Sequence, residues 1–234
     1  MATLKSWVRV MAGLALIASA TGKPAQAVTL TETSAGSLLS DAQIIPAGSA
    51  TLDSISGTLL SGNDVDLFQI TLTGGRTFSA TTEGMADFDT QLFLFDKNGL
   101  GVYARDDNPT SLQSTLPASH PLTPVVPEAY YLAIASFNND PISSRGLIFD
   151  NDEFPPYNKV LGPIIPGSEK PLSGFNDLGS GSGSYRIAIT GATAVPELSS
   201  TLGTLAFGAF AVSWMLKRKL KSRQSAASHN PSKA

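Results

Sequence analysis

Much of the chain alternates apolar and polar residues with a period of two, which is typical of β-strands with one buried and one solvated face. The segments 66–72 and 185–190 show this alternation. The segments 91–95 and 130–136 are apolar on both faces, so we expect them to be central strands. Helical periodicity is absent outside the two ends of the chain. The pattern predicts an all-β fold, an antiparallel β-sandwich or jelly-roll-like domain over residues 28–194.

Two proline-rich stretches, at 108–128 and 140–184, interrupt the strand pattern. Proline cannot donate a hydrogen bond to a strand ladder, so we predict that both stretches are surface loops. The second stretch ends in the glycine- and serine-rich run 179–183. This run lacks the strand-to-helix context of a phosphate-binding loop, and it predicts a flexible linker.

The N-terminal end has the order of a secretory signal peptide. Lys5 and Arg9 precede the apolar run 10–20, and a small-residue sequence follows at 25–27. An N-terminal membrane anchor is the alternative, but the apolar run is too short to cross a bilayer, which takes about 20 residues. We predict that residues 1–27 are a signal peptide and that the protein is exported.

The C-terminal end contains a second apolar segment. Residues 198–216 carry no charge, and the basic residues Lys217, Arg218 and Lys219 follow them. This length spans a bilayer, and the basic cluster would stay on the cytoplasmic side. A buried core helix is the alternative, which the uninterrupted apolarity and the basic stop disfavour. We predict a transmembrane helix at 198–216 and a disordered polar tail at 224–234.

The sequence Val195-Pro196-Glu197, the apolar segment and the basic cluster together resemble the PEP-CTERM sorting signal of exported bacterial proteins, over residues 195–223. In that family, a membrane-bound exosortase recognises and cuts the signal. The resemblance implies an exosortase-type processing enzyme as a partner, and a membrane-anchored precursor that reaches the cell surface or the extracellular space. One departure is Leu198, where the family usually has a second proline.

Charge is distributed unevenly along the chain. Residues 28–194 hold 18 of the 19 acidic residues but only 7 of the 16 Lys and Arg residues. An acidic domain without a basic patch is unsuited to nucleic acid and better suited to cations. The chain has no cysteine, which excludes disulfides, thiolate metal sites and cysteine nucleophiles.

Four motifs of the central domain resemble the bacterial pre-peptidase C-terminal family. They are "GNDVDLFQITLTGG" from Gly62, "DFDTQLFLFDKNGLGVYARDD" from Asp87, "YYLAIAS" from Tyr130 and "GSYRIAITG" from Gly183. The match covers most of 49–191 apart from the two proline-rich stretches. It implies a jelly-roll-like accessory domain of exported proteins, sometimes calcium-binding and usually without catalytic activity.

Six aspartates close to predicted strand ends are candidate metal ligands, with calcium as the candidate ion: Asp64, Asp66, Asp87, Asp89, Asp106 and Asp107. Two pairs among them are spaced i, i+2, which puts both carboxylates of a pair on one face of a strand, where they repel unless a cation lies between them. Calcium takes six to eight oxygens, which neighbouring strand ends can supply. The alternative is turn chemistry, which we predict for Asp96 in Asp96-Lys97-Asn98-Gly99. Without an EF-hand spacing, the residues leave both interpretations open.

Groups for catalysis are scarce. The two histidines are His120, in a proline-rich stretch, and His229, in the tail, and no serine lies in a nucleophile-elbow sequence. No histidine pair has the spacing of a zinc site. A carboxylate-pair glycosidase is compatible with the residue types but needs a deep cleft. We predict that the protein is not an enzyme and has no catalytic residues.

These patterns predict a non-catalytic exported protein of the cell surface or extracellular matrix, whose domain binds or structures extracellular polysaccharide or envelope material. The alternative is a secreted hydrolase, or an accessory subunit of one, that acts on glycans or peptides. A cleft with two carboxyl groups less than about 10 Å apart would favour this alternative.

Overall fold

The computed structural model describes residues 27–150 and 158–195. The predicted signal peptide up to residue 26, the sorting signal from Pro196 onward and the tail lie outside the described residues. Within the described residues, no helix is long and apolar enough to cross a membrane.

The regular secondary structure of the described residues consists of β-strands and one 3-10 helix, Gly167–Glu169. This confirms the expected all-β fold. The strands are β1 (Ala27–Thr31), β2 (Gln43–Ile44), β3 (Ala50–Leu59), β4 (Val65–Leu72), β5 (Ser79–Thr81), β6 (Thr90–Asp96), β7 (Gly101–Arg105), β8 (Thr115–Leu116), β9 (Ala129–Ser136), β10 (Pro141–Ser143), β11 (Gly146–Leu147), β12 (Val160–Leu161), β13 (Leu172–Phe175), β14 (Gly183–Thr190) and β15 (Ala192–Ala194).

Twelve of these strands form one large sheet, in the order β12-β7-β6-β9-β4-β15-β3-β14-β5-β8. Strand β1 pairs with β3 and strand β2 pairs with β4, both in parallel. Every other strand pair of the described residues is antiparallel, so the expected antiparallel arrangement is confirmed apart from these two pairs. The end strand β8 also lies against β7, near the other end, so that the sheet is nearly closed.

The two halves of the large sheet share the main hydrophobic core. Strands β4, β6 and β9 contribute Phe68, Leu94 and Leu132, and strands β3 and β14 contribute Leu52 and Ile187. Each of these side chains is at most 1% exposed. Full burial of such a side chain stabilises the fold by about 1.5–3 kcal/mol relative to its exposure. The main core therefore holds the two halves of the sheet together.

The central strands β6 and β9 are buried on both faces, as their apolar runs predict. Phe93 and Phe95 of β6 belong to a second core on the opposite face of the sheet, where each ring centroid lies 5.9 Å from that of Phe149. This second core is covered by residues 141–149 and 172–175, which we call the covering layer. The layer contains the separate three-stranded sheet β11-β10-β13.

The proline-rich stretches are not simple surface loops, so that prediction is wrong for the parts that form the covering layer and β8. The stretch 140–184 contributes the buried Phe149, and the stretch 108–128 contributes the buried Leu116. Proline breaks a ladder only where an amide must donate. Pro141 is the first residue of β10, a position that tolerates proline.

The glycine- and serine-rich run 179–183 is also packed rather than a flexible linker. A Cβ atom at Gly179 would lie 1.9 Å from the carbonyl oxygen of Gly62, in the turn between β3 and β4. The Ser180 amide donates to the Phe137 carbonyl at 3.3 Å. The glycines here permit close backbone approach, which their sequence pattern alone does not distinguish from flexibility.

The alternation of β14 is confirmed, because Tyr185, Ile187 and Ile189 are buried between more exposed neighbours. Strand β4 alternates only in its second half. In its first half, Val65 and Leu67 join the second core, while Phe68 joins the main core.

Candidate metal centre

The turn that joins β6 to β7 uses Asp96 as the sequence predicts. The Asp96 Oδ1 atom accepts hydrogen bonds from the amides of Asn98, at 2.8 Å, and Leu100, at 2.9 Å. Gly99 has a φ of 80°, in the left-handed region that favours glycine. Asp96 is therefore a turn residue.

Three of the candidate aspartates meet at the opposite, open end of this hairpin. Asp89 directly precedes β6, and Asp106 and Asp107 directly follow β7. One carboxylate oxygen from each of the three lies within 4.8 Å of those of the other two. The antiparallel pairing of Leu92 with Arg105 brings them together, because it fixes which ends of the two strands are neighbours. We call these three residues the aspartate centre.

Four of the six carboxylate oxygens of the aspartate centre are buried and have no hydrogen-bond donor among the described residues. Asp106 is 1% exposed, and among the described residues nothing donates to either of its carboxylate oxygens. One carboxylate oxygen of Asp89, one of Asp107 and the amide oxygen of the 1% exposed Gln91 are likewise buried without a donor. A buried polar atom without a partner costs about 1–3 kcal/mol, and more when it is charged. Such a concentration of unsatisfied oxygens is the environment that a hard cation requires.

Burial is the largest cause of the raised pKa values at this centre. It raises the pKa of Asp106 to about 8, with further contributions from the charges of Asp107, Asp89 and Asp140. Burial and the charge of Asp107 raise the pKa of Asp89 to about 6. The pKa of Asp107 is also raised by burial, against the opposing effect of Arg105. A bound cation would favour the ionised form of all three acids.

The structure does not bring Asp64 and Asp87 into the aspartate centre. Asp64 satisfies the turn before β4: its Oδ2 atom accepts from the Leu60 amide at 2.7 Å, and its Oδ1 atom accepts from the Val65 amide at 3.0 Å. Asp87 is exposed to solvent. Asp64 is therefore a turn residue, as the alternative interpretation of the aspartates expected.

Asp66 is also separate from the centre and has a different partner. It is 3% exposed, and its Oδ2 atom accepts a 2.5 Å hydrogen bond from the Tyr185 hydroxyl. Burial raises the pKa of Asp66 to about 7; the Tyr185 hydrogen bond opposes this shift, whereas the charges of Glu32 and Asp64 add to it.

Sequence reasoning missed two residues beside the aspartate centre. Gln91 donates from Nε2 to Oδ1 of Asp140 at 3.2 Å, and the charge of Asp140 acts on Asp106. A signal for Gln91 was present, since it is a polar residue within a run predicted to be buried on both faces and must therefore find polar partners. Asp140 follows the central strand β9 at a short interval, but only the fold shows that it returns to this hairpin.

No protein-family model and no curated protein matches the chain. The resemblances to the sorting signal and to the pre-peptidase C-terminal family therefore rest on the sequence motifs.

Proposed function

We propose that this protein is a non-catalytic, exported surface protein whose aspartate centre holds a calcium ion. The observation that carries the proposal is the group of buried carboxylate oxygens that accept no hydrogen bond from the part of the chain that the structure describes. All of the candidate ligand atoms are oxygens, which suits a hard cation, whereas zinc favours nitrogen and sulfur. Calcium accepts carboxylates and amide carbonyls in flexible geometry, and magnesium demands a near-ideal octahedron. Calcium is therefore the ion that we assign.

The finer fold that we propose is a β-sandwich of the jelly-roll-like pre-peptidase C-terminal type. Two observations support it: the halves of the large sheet share one core, and the four sequence motifs fall mainly on β4, the β6–β7 hairpin, β9 and β14. The core and the strand positions support a sandwich, and the family name comes from the sequence resemblance.

Export and membrane sorting are part of the same proposal. They are supported by the signal peptide pattern at 1–27 and by the PEP-CTERM-like order over 195–223, which would engage an exosortase-type enzyme. The domain geometry is compatible with this arrangement, because Ala27 of β1 and Thr193 of β15 both pair with Thr51 of β3. Both ends of the described domain thus leave from the same region.

The aspartate centre lies at the far end of the central strands from this region. Thr71 pairs with both Thr193 and Ala129, at the start of β9, whereas Ser136 at the end of β9 pairs with Thr90, beside Asp89. Strand β9 has eight residues and therefore seven steps of about 3.3 Å, which separate the two ends by roughly 23 Å. In an anchored precursor, this geometry would present the centre away from the membrane, towards the polysaccharide or envelope material that we propose as the partner.

A secreted hydrolase acting on glycans or peptides is the second candidate function. The closeness of the three carboxylates favours it, since the catalytic carboxyl groups of retaining glycosidases lie about 5–5.5 Å apart and a general acid needs a raised pKa. Two observations weigh against it. Asp106 is too buried to contact a substrate, and the Nδ1 atom of His120 already accepts a hydrogen bond from the Leu122 amide.

A calcium titration of the full-length protein, purified in mild detergent and stripped with chelator, tests the proposed centre. We expect isothermal calorimetry to show one calcium ion per chain. Asp106→Asn should abolish this binding because it removes the negative charge of the most buried ligand, and Asp87→Asn should bind as the unaltered protein does. Absence of calcium binding by the unaltered protein, together with hydrolysis of a glycan or peptide that Asp106→Asn abolishes, would support the hydrolase instead.

A further inference from the structure

The covering layer begins and ends at one point, beside the aspartate centre. Asp140 directly precedes β10, and Asn176 directly follows β13. The Asp140 amide donates to Oδ1 of Asn176 at 3.1 Å, and the Asn176 amide donates to the Asp140 carbonyl at 3.0 Å. The Asn176 side-chain amide also donates to Oδ2 of Asp140 at 3.3 Å. These bonds tie the two ends of the layer together.

Gln91 connects this tie to the aspartate centre. Its Nε2 atom donates to Asp140, and its Oε1 atom is buried with no donor in residues 27–150 and 158–195. Leu92 pairs with Arg105, so Gln91 and Asp106 occupy the next positions along the two neighbouring strands. A buried amide oxygen needs a partner, and ionised carboxylates cannot donate to it, so a cation held by these carboxylates fits as its partner.

The covering layer has few attachments of its own. Its strands are two to four residues long. Its large apolar anchors in the second core are Ile148, Phe149, Leu172 and Phe175. A unit with short strands and few buried side chains belongs to the part of a protein that opens most readily.

We propose that Gln91 Oε1 is a further ligand of the calcium ion, and that the bound ion clamps the covering layer onto the second core. This inference rests on the proposed calcium centre. With calcium bound, the ion balances the charge of the aspartate centre next to Asp140. When the ion is removed, Gln91 loses its bond to the cation and the charge of Asp140 acts on Asp106 without a balancing positive charge. The tie between Gln91 and Asp140 is then weakened, and the layer loosens. The main core lies on the opposite face of the central strands and stays folded.

Hydrogen exchange of the full-length protein in mild detergent, with calcium or with chelator, tests the clamp. We expect amides in 141–149 and 172–175 to exchange at least tenfold faster in chelator, while those of β3 and β14 keep their protection. If calcium binds by calorimetry but the layer exchanges equally in both conditions, the clamp is overturned and the calcium centre stands. If calcium does not bind, the proposed function itself fails.

The role of Gln91 is tested by Gln91→Met, which keeps the side-chain volume but removes the amide oxygen. We expect calcium to bind at least tenfold more weakly, and Gln91→Glu, which restores an oxygen, to recover binding. Gln69→Met is the matched control. Gln69 lies on the central strand β4, and its side chain donates to the Tyr131 hydroxyl of β9 instead of to Asp140. Unchanged affinity in Gln91→Met would overturn Gln91 as a ligand. Protection of the β3 and β14 amides from exchange reports whether each variant is folded. If a variant does not fold, the exchange experiment on the unaltered protein still tests the clamp.

Discussion

At the scale of single residues, two buried and two half-buried aspartates have pKa values above their ordinary range, and desolvation is the first cause in each case. What separates them is the presence of a donor. Asp66 has the Tyr185 hydroxyl, so the protein itself satisfies this carboxyl group. Asp89, Asp106 and Asp107 have oxygens to which no described residue donates, so a cation is the partner that fits them.

Asp66 should make stability depend on pH even without calcium. Its pKa is about 7 in the folded protein and about 3.8 in the unfolded chain. Between these values the folded state binds more protons, so this contribution to stability is present at low pH and is lost as pH rises towards 7. Asp66→Asn stays neutral at every pH. Its free energy of unfolding should therefore exceed that of the unaltered protein by an amount that grows between pH 4 and pH 7, up to about 4 kcal/mol.

Urea denaturation in chelator at pH 4.5, 6 and 8 measures this difference. Asn keeps an oxygen that can accept the Tyr185 hydrogen bond, so the comparison isolates the charge. A difference between the two proteins that stays constant over this pH range would show that Asp66 does not titrate as its environment indicates.

At the scale of elements, the turn between β3 and β4 and the glycine-rich run 179–183 are locked together by backbone contact. Gly179→Ala would place its Cβ atom 1.9 Å from the Gly62 carbonyl oxygen and 2.5 Å from Ser136 Oγ. Relief requires a backbone shift, and we expect a loss of about 1–3 kcal/mol in the free energy of unfolding.

Gly174→Ala is the matched control, because a Cβ atom at that position meets nothing within 4 Å. Its effect should stay within about 0.5 kcal/mol. Thermal or urea unfolding compares the two variants. Equal stability of both would mean that the run 179–183 is as loose as its composition suggests.

The sequence predicts the elements better than it predicts what covers them. The apolar runs of β6 and β9 correctly indicate burial on both faces, and Asp96-Lys97-Asn98-Gly99 correctly indicates the turn between β6 and β7. Periodicity shows that a face is buried but not which segment buries it. The covering layer was therefore missed, since its Phe149 reaches the second core only through long-range packing.

The same limit applies to the candidate site. Asp89, Asp106 and Asp107 could be grouped from sequence because a hairpin brings its two open ends together. Asp64 lies at a strand start like Asp89, and only the structure shows that its carboxylate is used by two backbone amides. Asp140 is distant from Asp106 in sequence, and the fold brings the two residues together. No local sequence pattern predicts this proximity.

At the scale of the whole molecule, both ends of the described domain leave beside Thr51, and the aspartate centre lies at the other end of the central strands. If the PEP-CTERM-like signal is processed, mass spectrometry of the exported protein should show that residues 217–234 are absent. A surface-exposed species that still carries Lys217 to Ala234 would contradict processing, although it would remain compatible with anchoring.

The aspartate centre should raise the stability of the whole domain when it is filled. At a calcium concentration about 100 times the Kd, binding to the native state alone adds about 2.7 kcal/mol. For a domain of this size that corresponds to a rise of roughly 5–10 °C in Tm. In chelator, Asp106→Asn should be at least as stable as the unaltered protein, because the substitution removes a buried unpaired carboxylate. Calcium should not raise the stability of this variant.

The most direct test is therefore the Tm of the full-length protein in mild detergent, measured in chelator and in millimolar calcium, for the unaltered protein, Asp106→Asn and Asp87→Asn. We expect calcium to raise the Tm of the unaltered protein and of Asp87→Asn, and to leave that of Asp106→Asn unchanged. An unchanged Tm in the unaltered protein, or an equal calcium response in Asp106→Asn, would contradict the calcium centre.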